Sequence, residues 1–185
     1  MDEENKTKHY GNLEDMFKAS QFLPKFSKLH NKMKDAFNGL IEITKSFERQ
    51  ETEYKILIKT CLIDLFGLIE ADIFYYNTID NHPPQDEKID FIEKMKLTFD
   101  QIATTFGKEK IVNEYFRTQM QLVRKLRKKR NNQVHPKEVE HLYNPTKRDL
   151  NDIIFCFKKY DQLINGIMNN FFFSTNIPSS FFLNR

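Results

Sequence analysis

The sequence has no tryptophan, only five glycines and six prolines, and two cysteines among 185 residues. A sandwich or barrel with many tight turns would use more glycine and proline than this, so an all-β architecture is disfavoured. Gly11, Gly39, Gly67, Gly107 and Gly166 stand far apart. No glycine-rich phosphate loop or dinucleotide fingerprint can be built from them. Cys61 and Cys156 lie in apolar surroundings and read as buried free thiols of a cytoplasmic protein, not as a disulfide framework. No apolar run approaches the ~20 residues that span a bilayer, so no membrane association is expected. The opening MDEENKTKHYGN is polar and acidic, unlike a signal peptide, and residues 1–12 are expected to be disordered.

What is present is an ordinary globular balance: 39% hydrophobic and 30% charged residues, with a net charge of +3. Such mild basicity points to no partner class by itself. Phenylalanine is abundant at 18, a bias that an AT-rich genome would produce. The length fits one domain.

Apolar spacing of three and four recurs along most of the chain, the signature of amphipathic helices. A short helix is expected over 13–22, followed by a longer one over 24–49 with Pro24 in its first turn. The longer helix carries Phe26, Leu29, Met33, Phe37, Leu40, Ile43 and Phe47. Residues 51–78 are apolar on more than one side, as in a central bundle helix or one that also meets a second subunit. Asn81-His82-Pro83-Pro84 ends that segment. A helix over 86–106 follows, with Asp86 and Glu87 at its positive end and Gly107 as a left-handed cap. The next runs over 108–134 and stops at His135, because a residue before proline disfavours the α conformation. The last helix is expected to begin at Asn144-Pro145. The bundle occupies 24–170, and 171–185 form an apolar tail. The fold class is an all-α antiparallel helical bundle of four to five long helices.

The unusual stretch is 124–136, RKLRKKRNNQVHP, where six of the seven residues from 124 to 130 are basic. At about 100° per residue these cannot share one face. Arg130 continues the ridge of Val123 and Leu126 and should point inward, where a guanidinium must be paired or hold an anion. Lys125, Lys128 and Lys129 should be mostly solvated. His135, at the negative end of the helix but near arginines, is suited to acid–base work.

Arg130-Asn131-Asn132-Gln133-Val134-His135 resembles the R-x4–6-H motif of the HEPN superfamily, with the polar residue after the arginine present as Asn131. The resemblance implies a helical bundle, with the motif at the end of one helix and the connection to the last. It also implies a metal-independent endoribonuclease without cofactors, with Arg130, His135 and Asn131 as catalytic residues at a homodimer cleft. Abortive-infection or toxin–antitoxin roles, with an antitoxin or other defence partner, would accompany that activity. Arg124, Arg127 and Lys128 would track the RNA backbone. In this family an acid on an earlier helix often supports the motif, and Asp64, Glu70 and Asp72 are the candidates. Asp64 and Asp72 are flanked by apolar residues, so at least one should be buried and partnered. For Glu70 or Asp72 the plain alternative is a structural ion pair.

The other chemistry-bearing residues are weaker. His9 and His30 are expected to be exposed. His135, His141 and Glu138 match no metal-ligand spacing. Cys61 reads as a core residue. Tyr75, Tyr76, Tyr115 and Tyr143 could stack on bases but have the spacing of core aromatics. The alternative function is a non-catalytic helical interaction or regulatory protein, an adaptor or antitoxin, with a degenerate motif.

Overall fold

A computed structural model of the chain describes residues 13–79, 89–136, 138–139 and 143–168. These form five helices: α1 (Leu13–Ser46), α2 (Glu51–Ile79), α3 (Phe91–Phe106), α4 (Glu109–Val134) and α5 (Lys147–Met168). Among the described residues there is no strand, and the protein is an all-α helical bundle. No described helix is long and apolar enough to cross a membrane. The disorder expected for 1–12, the turn at 81–84 and the tail 171–185 lie outside the described residues.

The helix α2 is the central element and packs against each of the other four. Its core side chains include Ile58, Leu62, Leu65, Phe66, Leu68, Ile69, Ile73 and Tyr76, which at about 100° per residue occupy one face of a little under half the circumference. Ile56, Ile63 and Phe74 remain exposed on its outer side, Phe74 at 66%. Cys61 and Cys156 are buried free thiols, as expected, and burial pushes the Cys156 thiol up to about 12.

Four helix boundaries or faces differ from the sequence expectation. Residues 13–22 and 24–49 are one helix, α1, which runs through Pro24 and stops at Ser46. Proline removes one backbone bond and strains one turn. Pro24 lies on the solvent side, while Leu23 and Phe26 beside it are buried and hold the helix down. The buried face of α1 is also rotated. It comprises Leu23, Phe26, His30, Phe37, Ile41 and Thr44, whereas Ile43 is exposed. The helix α3 begins at Phe91, not near 86, because the Asp90 carboxylate accepts the Ile92 N–H at 2.8 Å and caps it there. The start of α5 is Lys147, two residues beyond Pro145. The Asp149 carboxylate accepts both the backbone N–H (2.8 Å) and the hydroxyl (2.9 Å) of Thr146, which is the carboxylate half of a capping box.

Gly107 terminates α3 as expected. Its φ of 63° and ψ of 40° are left-handed, and its N–H donates to the Ala103 carbonyl. The helix α4 spans almost the expected residues, with His135 at its C-terminal cap.

Candidate functional site

Val112, Tyr115, Met120, Val123 and Leu126 bury one face of α4. One turn beyond Val123 and Leu126, the same ridge brings Arg127 and Arg130 inward, with side chains only 18% and 20% exposed. Both face Glu70 of α2. Arg127 donates from Nη1 to Glu70 Oε1 at 3.1 Å, and Arg130 Nη2 stands 3.9 Å from the same oxygen.

Arg127 is held more firmly than Arg130. Its guanidinium lies over the Phe91 ring at 4.3 Å and near the Phe66 ring at 5.5 Å. These are cation–π distances. Burial and the neighbouring charge of Arg130 lower the Arg127 proton affinity, and Glu70 partly restores it. The Nε atoms of both arginines are buried with no hydrogen-bond partner. Glu70 therefore satisfies one guanidinium fork partially and the other only electrostatically.

The remaining basic residues divide by face. Arg124, Lys125 and Lys128 are exposed. Lys125 bonds Asp152 of α5 at 2.6 Å. The expectation that Lys129 is mostly solvated is corrected. It is 28% exposed, pairs with the Asp149 carboxylate and lies 5.2 Å from the Tyr143 ring centroid. The capping box that starts α5 draws it there, because Asp149 needs a cation once it is buried. Despite that burial, Lys129 and the Thr146 donors hold the Asp149 carboxyl below its usual range.

His135 is exposed at the cap of α4, with φ −133° and ψ 62° and its N–H donating to the Asn131 carbonyl at 2.8 Å. Asn131 is exposed as well. Because α4 stays helical through Val134, five residues separate the Arg130 and His135 directions by about 140° around the axis. The structure thus brings Arg127, Arg130 and Glu70 together, and sets Asn131 and His135 on the solvent side of the same helix end. His141 lies outside the described residues, and among those described no three His, Cys, Asp or Glu side chains gather to hold a metal ion.

Of the three candidate acids, Glu70 alone meets the arginines. Asp64 is exposed, and partial desolvation raises its carboxyl. Asp72 is buried, as its apolar flanks require, but it turns to the opposite side of α2. There it meets His30, so the expectation that His30 is exposed is wrong. His30 is 4% exposed and pairs with Asp72 through Nδ1, at 2.9 Å to Oδ2 and 3.1 Å to Oδ1. The register of α1 places it inward, on the ridge of Leu23, Phe26 and Phe37. The spacing 23–26–30–37 was the available signal, and it is obscured when histidine is counted as polar. Tyr76, Tyr115 and Tyr143 are buried core residues, and the Tyr143 hydroxyl proton is held more tightly than usual by burial and Asp149.

No family model, curated protein or solved structure matches this chain.

Proposed function

We propose that the protein is a metal-independent endoribonuclease of HEPN type, acting on RNA as a homodimer. The observation that carries the reading is Arg130: a largely buried guanidinium with a free Nε, 3.9 Å from Glu70, five residues before an exposed histidine. A phosphate offers two oxygens to a guanidinium fork, a stronger partner than one distant carboxylate oxygen. In this mechanism Arg130 binds the scissile phosphate and offsets the charge of the pentacoordinate phosphorane. His135 takes the proton of the ribose 2′-hydroxyl or returns one to the leaving 5′-oxygen. Asn131 orients the phosphate or the imidazole. Arg124 and Lys128 bind the RNA backbone from solvent. Arg127, stacked on Phe91, contributes mainly field.

Two copies supply the acid and the base together, which also answers the angular separation of Arg130 and His135. The outer stripe of α2 supports that pairing. Ile56, Ile63 and Phe74 are exposed on the same helical face as Glu70, and an exposed apolar stripe favours association. A toxin or phage-defence role with an antitoxin or other protein partner is consistent with such an activity, and the cytoplasm is its setting.

The test is incubation of the purified protein with RNA in EDTA, beside His135→Ala and Arg130→Ala. Cleavage leaving 2′,3′-cyclic phosphate ends, lost in both variants, supports the reading. Cleavage that requires magnesium, or equal cleavage of a matched single-stranded DNA, refutes it.

One observation favours a second reading. Glu70 already engages Arg127 directly, so the cluster can serve as an internal ion pair of a non-catalytic adaptor or antitoxin. Retained RNA or protein binding without any cleavage selects that alternative.

A further inference from the structure

The helices α1, α2 and α5 meet at a buried polar cluster that the RNA site does not use. His30 of α1 is its centre. Its Nδ1 faces the Asp72 carboxylate of α2 at 2.9 Å, and its Nε2 faces Asp161 of α5 at 3.7 Å. Tyr160 of α5 donates its hydroxyl to Asp72 Oδ2 at 2.9 Å. Lys34, one turn along α1, bonds both Asp161 oxygens at 2.7 and 2.8 Å. Tyr76 of α2 places a buried, unpartnered hydroxyl nearby and feels the Asp72 charge. Aromatic rings close the surroundings: Phe26 lies 6.0 Å from the imidazole, while Phe99 of α3 and Tyr115 of α4 pack on Tyr160.

Carboxylates on two helices face the two imidazole nitrogens. A carboxylate only accepts, so each nitrogen is best satisfied as a donor, and only the protonated ring donates from both. With His30 protonated, the charges of His30, Lys34, Asp72 and Asp161 cancel. With His30 neutral, one uncompensated negative charge remains in a nearly closed site, and Nε2 turns a lone pair toward Asp161.

We propose that His30 is a pH-sensitive latch: protonated, it ties α1 to α2 and α5, and loss of its proton loosens α1 from the bundle. The N-terminal half of α1 is where loosening should begin. Pro24 interrupts its backbone ladder, and among its described side chains the deeply buried ones are Leu23, Phe26 and His30. Burial opposes the charge on His30, but Asp72 and then Asp161 outweigh it and raise the imidazole above its ordinary value. The stabilisation from this proton is therefore complete below about pH 6.5 and is lost as pH rises through the raised value. Burial also raises the Asp72 carboxyl, against the pull of His30 and Tyr160. Its effect has the same sign but belongs to a lower window, beginning near the ordinary carboxylate value.

The experiment is nitrogen-detected NMR of the full chain between about pH 6 and about pH 9, with amide exchange followed in parallel. Asp161→Asn is the companion variant, since Asp161 is partly exposed and its loss leaves the His30–Asp72 pair in place. The expected result is a His30 ring protonated on both nitrogens at the acid end of the range. It should titrate above the ordinary histidine value, and at a lower pH in Asp161→Asn. As it titrates, protection corrected for intrinsic exchange should fall several-fold more in α1 than in α4. A ring that titrates at or below the ordinary histidine value overturns the latch, as does a titration that leaves α1 protection unchanged relative to α4.

Discussion

Replacing Asp72 by alanine tests how the bundle is held together. Asp72 accepts from His30 Nδ1 at 2.9 and 3.1 Å and from the Tyr160 hydroxyl at 2.9 Å. Both donors are buried, His30 at 4% exposure and Tyr160 at 0%. Without the carboxylate, the imidazole Nδ1 and the Tyr160 hydroxyl are left in the core with no acceptor. Breaking a buried charged pair from one side costs about 3–5 kcal/mol, and an orphaned hydroxyl about 1–3 kcal/mol. The two share one acceptor and do not add fully, so a loss of about 4 kcal/mol is expected. For a chain of this size that lowers Tm by about 8–16 °C. The assay is urea unfolding followed by far-ultraviolet circular dichroism near pH 6, with unchanged slope and a lower midpoint. Tyr160→Phe, which keeps the His30–Asp72 pair, should lose only about 1–2 kcal/mol. The His30→Ala, Asp72→Ala double variant should lose less than the sum of the single ones. A loss below about 1 kcal/mol for Asp72→Ala would refute the reasoning, since it would mean that the cluster is hydrated or unformed.

Further outcomes follow from single residues. His135→Ala should fold normally, losing less than about 1 kcal/mol because the side chain is exposed, while abolishing RNA cleavage in an EDTA assay. Glu70→Gln should change the unfolding midpoint little, as half-exposed ion pairs contribute about 0–1 kcal/mol. It should also tighten RNA binding in a filter or anisotropy titration, because it frees Arg127 and Arg130 for phosphate; weaker binding would show that the carboxylate positions them instead. Gly107→Ala places a Cβ at φ 63° and should cost about 1–2 kcal/mol by denaturant unfolding. Asp149→Ala removes the Thr146 cap and the Lys129 partner, and should cost about 1–2 kcal/mol and increase amide exchange in the first turn of α5.

Glu70 also links the two readings of the basic stretch. It sits on the exposed stripe of α2 with Ile63 and Phe74 and is the carboxylate that Arg127 and Arg130 share. Any molecule that covers that stripe approaches the guanidinium pair, so association and RNA binding should be coupled at this residue. Mixing RNA with the protein should then shift a monomer–dimer equilibrium measured by sedimentation, and Glu70→Gln should alter the shift.

The local rules that settle helix type and two of the helix ends were readable in the sequence. Spacing of three and four apolar residues gave the helices, Gly107 and His135-Pro136 marked two of their ends, and the ridge Val123–Leu126–Arg130 turned that arginine inward. Each depends on a few neighbouring residues and on the 3.6-residue turn. Partners on other helices depend on how those helices cross. That Glu70 and not Asp64 meets the arginines, that Asp72 turns the other way to hold His30 and Tyr160, and that Lys129 leaves solvent for Asp149 required the tertiary structure. The same is true of Pro24 inside α1, tolerated because burial of Leu23 and Phe26 outweighs one missing backbone bond. A histidine on an apolar ridge reads as exposed until the carboxylate that buries it arrives, in this case from a residue 42 positions away.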